Sequence, residues 1–99
     1  MKYKLYQIKD TESCSYLFSS FNFAQQKGFS IYDYEVVYEG EIEDYTIEYA
    51  LELLFSYFNL NFAKDYKGRS MSVSDVVELD GEYYYCDIFG FKKITDFCS

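Results

Sequence analysis

VVELDGEYYYCDI, residues 76–88, decides how this chain folds. Asp80 and Gly81 stand between two β-prone runs, and a two-residue Asp-Gly connection tolerates the positive φ that a type I′ hairpin turn requires at both central positions. That turn sets the register. Leu79 faces Glu82, Val77 faces Tyr84 and Val76 faces Tyr85, the last two pairs setting a β-branched side chain against an aromatic one. Val77, Leu79, Tyr84, Cys86 and Ile88 then share one face, expected to be the core. Val76, Glu78, Tyr83, Tyr85 and Asp87 share the other, with Tyr83 and Tyr85 read as half-covered surface residues.

Working outward, YKLYQIK at 3–9 is apolar without clean alternation, as expected of a central strand covered on both faces. After Asp10, Thr11 and Ser13 offer helix caps, and Cys14, Leu17, Phe18 and Phe21 recur at helical spacing, so a short helix is expected there, closed near Gly28. Residues 22–33 carry the weakest signal. In YEVVYEGEI, 34–42, Tyr34, Val36, Tyr38 and Ile42 fall on one face and Glu35, Glu39 and Glu41 on the other. TIEYALELLFSYF, 46–58, reads as a helix with Asp44 or Thr46 as cap and Ile47, Ala50, Leu51, Leu54 and Phe58 as its apolar stripe. FKKITDFCS, at the end, reads as strand or helix, with Phe91, Ile94 and Phe97 packing on the sheet. The expected fold is therefore a single α+β domain over 1–99, a mainly antiparallel sheet with two helices in the approximate order β-α-β-α-β-β.

Charge is unevenly placed. The net charge is −8, and no Lys or Arg occurs between Lys27 and Lys64, where Asp33, Glu35, Glu39, Glu41, Glu43, Asp44, Glu48 and Glu52 fall. Those acids equal the whole excess, so the rest of the chain is balanced. Charges facing water account for most acidic faces, but a surface serving solubility alone mixes signs, and this segment does not. Glutamates alternating along one strand face would form a carboxylate row that Glu48 and Glu52 continue on the helix. Such a row repels a phosphate backbone, which excludes direct nucleic-acid binding and makes a basic protein surface its complement. The 13 tyrosines and 10 phenylalanines exceed what one small core buries. Exposed tyrosines beside carboxylates resemble an interface, and whether they also pair two copies of the chain stays open.

Chemistry is poorly provided for. The chain has no histidine, which removes Ser/His/Asp and Cys/His nucleophiles and the commonest transition-metal ligand. Cys14, Cys86 and Cys98 match no zinc or redox spacing and read as small buried hydrophobes. No phosphate-binding glycine loop or EF-hand occurs, and EGEIED, 39–44, is a weak metal candidate because its alternating acids suit a strand. No catalytic residue, metal site or cofactor is assigned. The opening residues lack the apolar run of about 7–15 residues of a signal peptide, and nowhere is there an apolar stretch of about 18 residues, so a cytoplasmic chain without membrane contact is expected.

MKYKLYQIKD, YEVVYEGEIE and above all SMSVSDVVELDGEYYYCDIFGFKKI resemble YodL-like domains encoded on mobile elements of Gram-positive bacteria. Ile88 is a departure, standing where a small polar residue is expected. The resemblance implies an accessory or counter-defence role for a phage or conjugative element, antirestriction or anti-CRISPR in kind, with no catalytic residues to carry over. Two function classes follow. One is a non-enzymatic protein whose Glu35, Glu39, Glu41, Glu43, Asp44, Glu48 and Glu52, rimmed by Tyr83 and Tyr85, meet a basic surface of a host protein, a nucleic-acid enzyme being one such target. The other is a small ligand-binding or enzymatic module using Asp75, Glu78 or Asp87 with Tyr85. A passive adaptor domain is equally compatible with the lack of chemistry.

Overall fold

The computed structural model describes residues 1–60 and 69–95. Its strands are β1 (Lys2–Ile8), β2 (Tyr34–Glu41), β3 (Val76–Leu79), β4 (Glu82–Cys86) and β5 (Phe91–Ile94), and its helices are α1 (Phe21–Gln26) and α2 (Ile47–Asn59). The strands form one antiparallel sheet in the order β2-β1-β3-β4-β5. The fold is α+β, as expected. FKKI, left open between strand and helix, is the added edge strand β5; Phe97 and Cys98 lie outside the described residues.

The β3–β4 hairpin has the register that its turn dictates: Leu79 opposite Glu82, Val77 opposite Tyr84, Val76 opposite Tyr85. Asp80 and Gly81 sit at φ +49° and +86°, the left-handed pair of a type I′ turn. On one face, Val77, Leu79 and Tyr84 join Tyr3 and Leu5 of β1 beneath α2. That helix begins where Thr46 Oγ1 accepts the Tyr49 N–H (3.3 Å), and it buries Ala50, Leu51, Leu54 and Phe58. Ile47, at the edge of the stripe, is half-buried.

β1 lies inside the sheet and is covered on both faces, as expected; the second core also takes in Val76 and Tyr85 of the hairpin, whose second face was expected at the surface. Tyr6, Ile8, Tyr34, Val76, Tyr85 and Ile94 are buried there under Tyr16 and Ala24 from the segment joining β1 to β2. Tyr85, expected to be half-covered, has no exposed surface, its ring lying 5.2 Å from that of Phe21 and 5.7 Å from that of Phe29. Ile88, expected in the core, is exposed because β4 ends at Cys86.

The covering segment keeps the expected close at Gly28, which sits at φ +73°, but departs from the expected helix at its start. Residues 11–18 form turns, and α1 starts later, capped by Ser20 Oγ accepting from Phe23 N–H at 3.2 Å. The reason is tertiary. Phe18 N–H donates to Ser74 Oγ (3.0 Å), Phe21 N–H to Asp87 Oδ1 (3.1 Å), and Tyr85 O–H to the Ser19 carbonyl (2.8 Å). Backbone groups that a helix would use internally are bonded across the molecule. Cys14, Leu17 and Phe21 do pack inward, but Phe18 is exposed at φ +62°.

β2 holds the other correction. Tyr38 pairs with Leu5 but Val36 pairs with Tyr6, so Val37 is an extra residue in a β-bulge. Crossing the bulge exchanges the faces. Tyr38 joins the α2 core against Phe58 at 5.3 Å, while Val36, expected on the same face, is exposed on the far side. Tyr34 lies in the second core and Ile42 packs against the first.

Candidate interaction surface

The bulge breaks the expected carboxylate row. Glu35 stands opposite Gln7, on the α2 side, whereas Glu39 and Glu41 stand opposite Lys4 and Lys2 on the far side. Lys4 Nζ lies 3.5 Å from Glu39 Oε1, and Lys4 is also the cross-strand partner of Glu78, whose Oε1 accepts from Tyr6 O–H at 3.1 Å. Asp80 Oδ1 accepts the Lys2 N–H (2.9 Å). A shallow groove of about 790 Å³ runs over these groups. Its floor alternates charge signs, because strand pairing brings lysines from β1 into the middle of acids from β2 and β3. Glu39 and Glu41 therefore do not join the helix acids. Asp33, with its carboxylate accepting Tyr16 O–H at 2.6 Å, is also used internally.

Glu43, Asp44, Glu48 and Glu52 do fall in one strip, along the α2 entry loop and the solvent face of that helix. All four are exposed. Asp44 Oδ1 lies 3.3 Å from the Met1 ammonium; among the described residues no Lys or Arg is ion-paired with Glu43, Glu48 or Glu52. Glu48 and Glu52 are one helical turn apart, a like-charge spacing that destabilises an isolated helix slightly. Two exposed tyrosines stand among them. The rings of Tyr45 and Tyr49 meet edge to face at 4.8 Å, and Tyr45 O–H donates to Glu43 Oε2 (3.2 Å), a bond that raises the phenol's pKa. Phe55, one turn beyond Glu52, is also exposed and lies on the acids' flank of the helix.

The tyrosines expected at the rim are elsewhere. Tyr85 is buried, and Tyr83 is half-buried against Tyr6 (6.0 Å) on the sheet face away from α2. Tyr45 and Tyr49 were missed; for Tyr49 a helical projection carries the signal, since it lies off the stripe of Ile47, Ala50, Leu51, Leu54 and Phe58, while Tyr45 precedes the cap Thr46 and has no such signal.

The acids near the hairpin serve structure. Asp75 has no exposed surface; its Oδ2 accepts from Gln7 Nε2 and Ser72 N–H, both at 2.9 Å, and its Oδ1 faces Arg69 at 3.4 Å. Desolvation pushes its carboxyl up to about 6, against the hydrogen bonds and Arg69, which pull it down. Asp87 Oδ1 accepts from two backbone N–H groups, of Phe21 and Ile88. Burial, then Asp75 and Asp87, push the Cys86 thiol up to about 12, which makes it a poor nucleophile. Among the described residues no group of three His, Cys, Asp or Glu side chains is placed to hold a metal, and no helix is long and apolar enough to cross a membrane.

The family model of the YodL-like domain matches residues 2–97, nearly the whole sequence. The chain belongs to the YodL-like family. No curated protein and no solved structure matches this YodL-like domain. Within it, the matched span includes the hairpin, both cores and the α2 strip alike.

Proposed function

We propose that this YodL-like domain is a non-enzymatic binding module that engages a basic surface on a host protein through the α2 strip. The observation that carries the reading is the Tyr45–Tyr49 ring pair, exposed and set among Glu43, Asp44, Glu48 and Glu52. Tyrosine supplies rigid apolar area with a polar end, and the carboxylates around it steer and orient a cationic partner. A nucleic-acid-binding groove is a surface of that kind, and blocking one suits an accessory or counter-defence role in the cytoplasm of a host carrying a mobile element. Glu39 and Glu41 are left out of the interface because β1 lysines stand among them.

The test is affinity capture from a bacterial lysate at low and high salt. A basic protein retained at low salt and released at high salt, and lost when Glu43, Glu48 and Glu52 become Gln and Asp44 becomes Asn, supports the reading. Retention unaffected by those substitutions overturns it.

A further inference from the structure

Beside the α2 strip, helix and sheet leave a cleft. Two hollows of about 240 Å³ each adjoin along the side of α2 facing β5, sharing Glu52, Gly90 and Phe91. Leu51, Tyr84 and Phe91 supply apolar floor, and Glu48 and Glu52 form the helix wall. Lys93, on the opposite wall, has its ammonium 3.3 Å from Glu82.

That opposite wall is a sheet edge. Cys86 N–H donates to the Asp75 carbonyl (2.8 Å) and Asp87 N–H to the Gly90 carbonyl (2.9 Å), so even-numbered residues of β4 bond towards β3 and odd-numbered ones towards β5. With Tyr85 opposite Lys92 and Tyr83 opposite Ile94, the ladder uses residues 92 and 94. The main-chain groups of Phe91 and Lys93 point away from β4, and β5 is the last strand among the described residues. Their side chains are the ones that line the cleft.

We propose that this cleft takes an extended basic segment of the partner, which adds to β5 as a sixth strand. The inference rests on the acidic-surface reading and specifies how the partner is held. Alternate side chains of an added strand stand about 6.8 Å apart on one face, and successive turns of a helix about 5.4 Å apart. On a strand running beside α2, an apolar side chain seated over Leu51, Tyr84 and Phe91 puts a Lys or Arg two residues along within about one helical turn of Glu48 or of Glu52. Main-chain bonds to Phe91 and Lys93 supply affinity, and the two pockets supply selectivity. The like-charged pair on α2 is relieved when the cation arrives.

The probe is a short fluorescent peptide with threonine at every second position and arginine and valine alternating at the others, titrated by anisotropy at low salt. Lys93→Pro removes one outward N–H at an edge position where proline is tolerated; Lys93→Ala is its charge control. Expected is binding that Lys93→Pro weakens about tenfold or more and Lys93→Ala leaves intact or tighter. A peptide N-methylated at its edge-facing amides should fail in the same way against the unaltered protein, so the proposal stays testable if the proline variant does not fold. Equal binding of the N-methylated and parent peptides, or no binding of the parent, overturns strand addition. If Glu48→Gln with Glu52→Gln still abolishes binding of an N-methylated peptide, the acidic-surface reading survives alone. Concentration-dependent dimerisation abolished by Lys93→Pro also overturns the proposal, since a second copy then fills the edge.

Discussion

Lys4 Nζ lies 3.5 Å from Glu39 Oε1 across the β1–β2 pair, on the sheet face away from α2. Glu39 is exposed and Lys4 half-buried, so solvent screens the pair and its net contribution is small, about 0.2–1 kcal/mol. Glu39→Gln should therefore shift the denaturation midpoint little. It should also leave partner binding unchanged, which a capture experiment with the purified variant reads directly.

Tyr85 ties the hairpin to the segment that covers the second core. Removing only its hydroxyl loses the part-buried bond to the Ser19 carbonyl, so Tyr85→Phe should cost about 0.5–1.5 kcal/mol in urea unfolding. Tyr85→Ala, which also empties the space between Phe21 and Phe29, should cost about 3–5 kcal/mol. A smaller loss for the alanine variant would mean that this face is not a packed core.

Asp75 gives a pH signature. Its carboxyl is raised from 3.8 to about 6 in the folded protein, so the folded state binds the extra proton between those values. The stability this group contributes is greatest below about pH 4 and is lost as pH rises through about 6. Relative to Asp75→Asn, the unaltered protein should lose on the order of 2–3 kcal/mol between about pH 4 and pH 7. Unfolding free energies of the two proteins that run parallel in pH would contradict the buried state of this carboxyl.

Gly81 occupies φ +86°, where a side chain is strained whatever space surrounds it. Gly81→Ala should destabilise the β3–β4 hairpin by about 1–2 kcal/mol, read as a lowered thermal midpoint. Asp80→Asn should be nearly neutral for the turn, because asparagine also accepts left-handed φ.

The hairpin and α2 were legible in the sequence because each is specified locally. Asp80-Gly81 dictates a turn type, the turn dictates a register, and the spacing of Ala50, Leu51, Leu54 and Phe58 admits one buried helix face. The β2 bulge was not legible: Val36 and Val37 are adjacent, alike and equally β-prone, so counting by twos through them cannot tell which is extra. The acids beyond them consequently went to the wrong face. The cover over the second core was hidden for another reason, since its path is set by bonds to Ser74, Tyr85 and Asp87, more than 50 residues further along the chain. The second core also hid Tyr85, because a strand buried on both faces shows no alternation to read. Of the candidate site, the acids on loop and helix were legible; of their aromatic neighbours, Tyr49 was available but passed over, and Tyr45 carried no such signal.

The most direct test of the acidic-surface account compares two double variants by calorimetric titration of the captured partner over a range of salt concentrations. Glu48→Gln with Glu52→Gln should weaken binding about tenfold or more and flatten its salt dependence, while Glu39→Gln with Glu41→Gln should change neither. Equal effects of the two pairs, or a larger effect of the β2 pair, would contradict it.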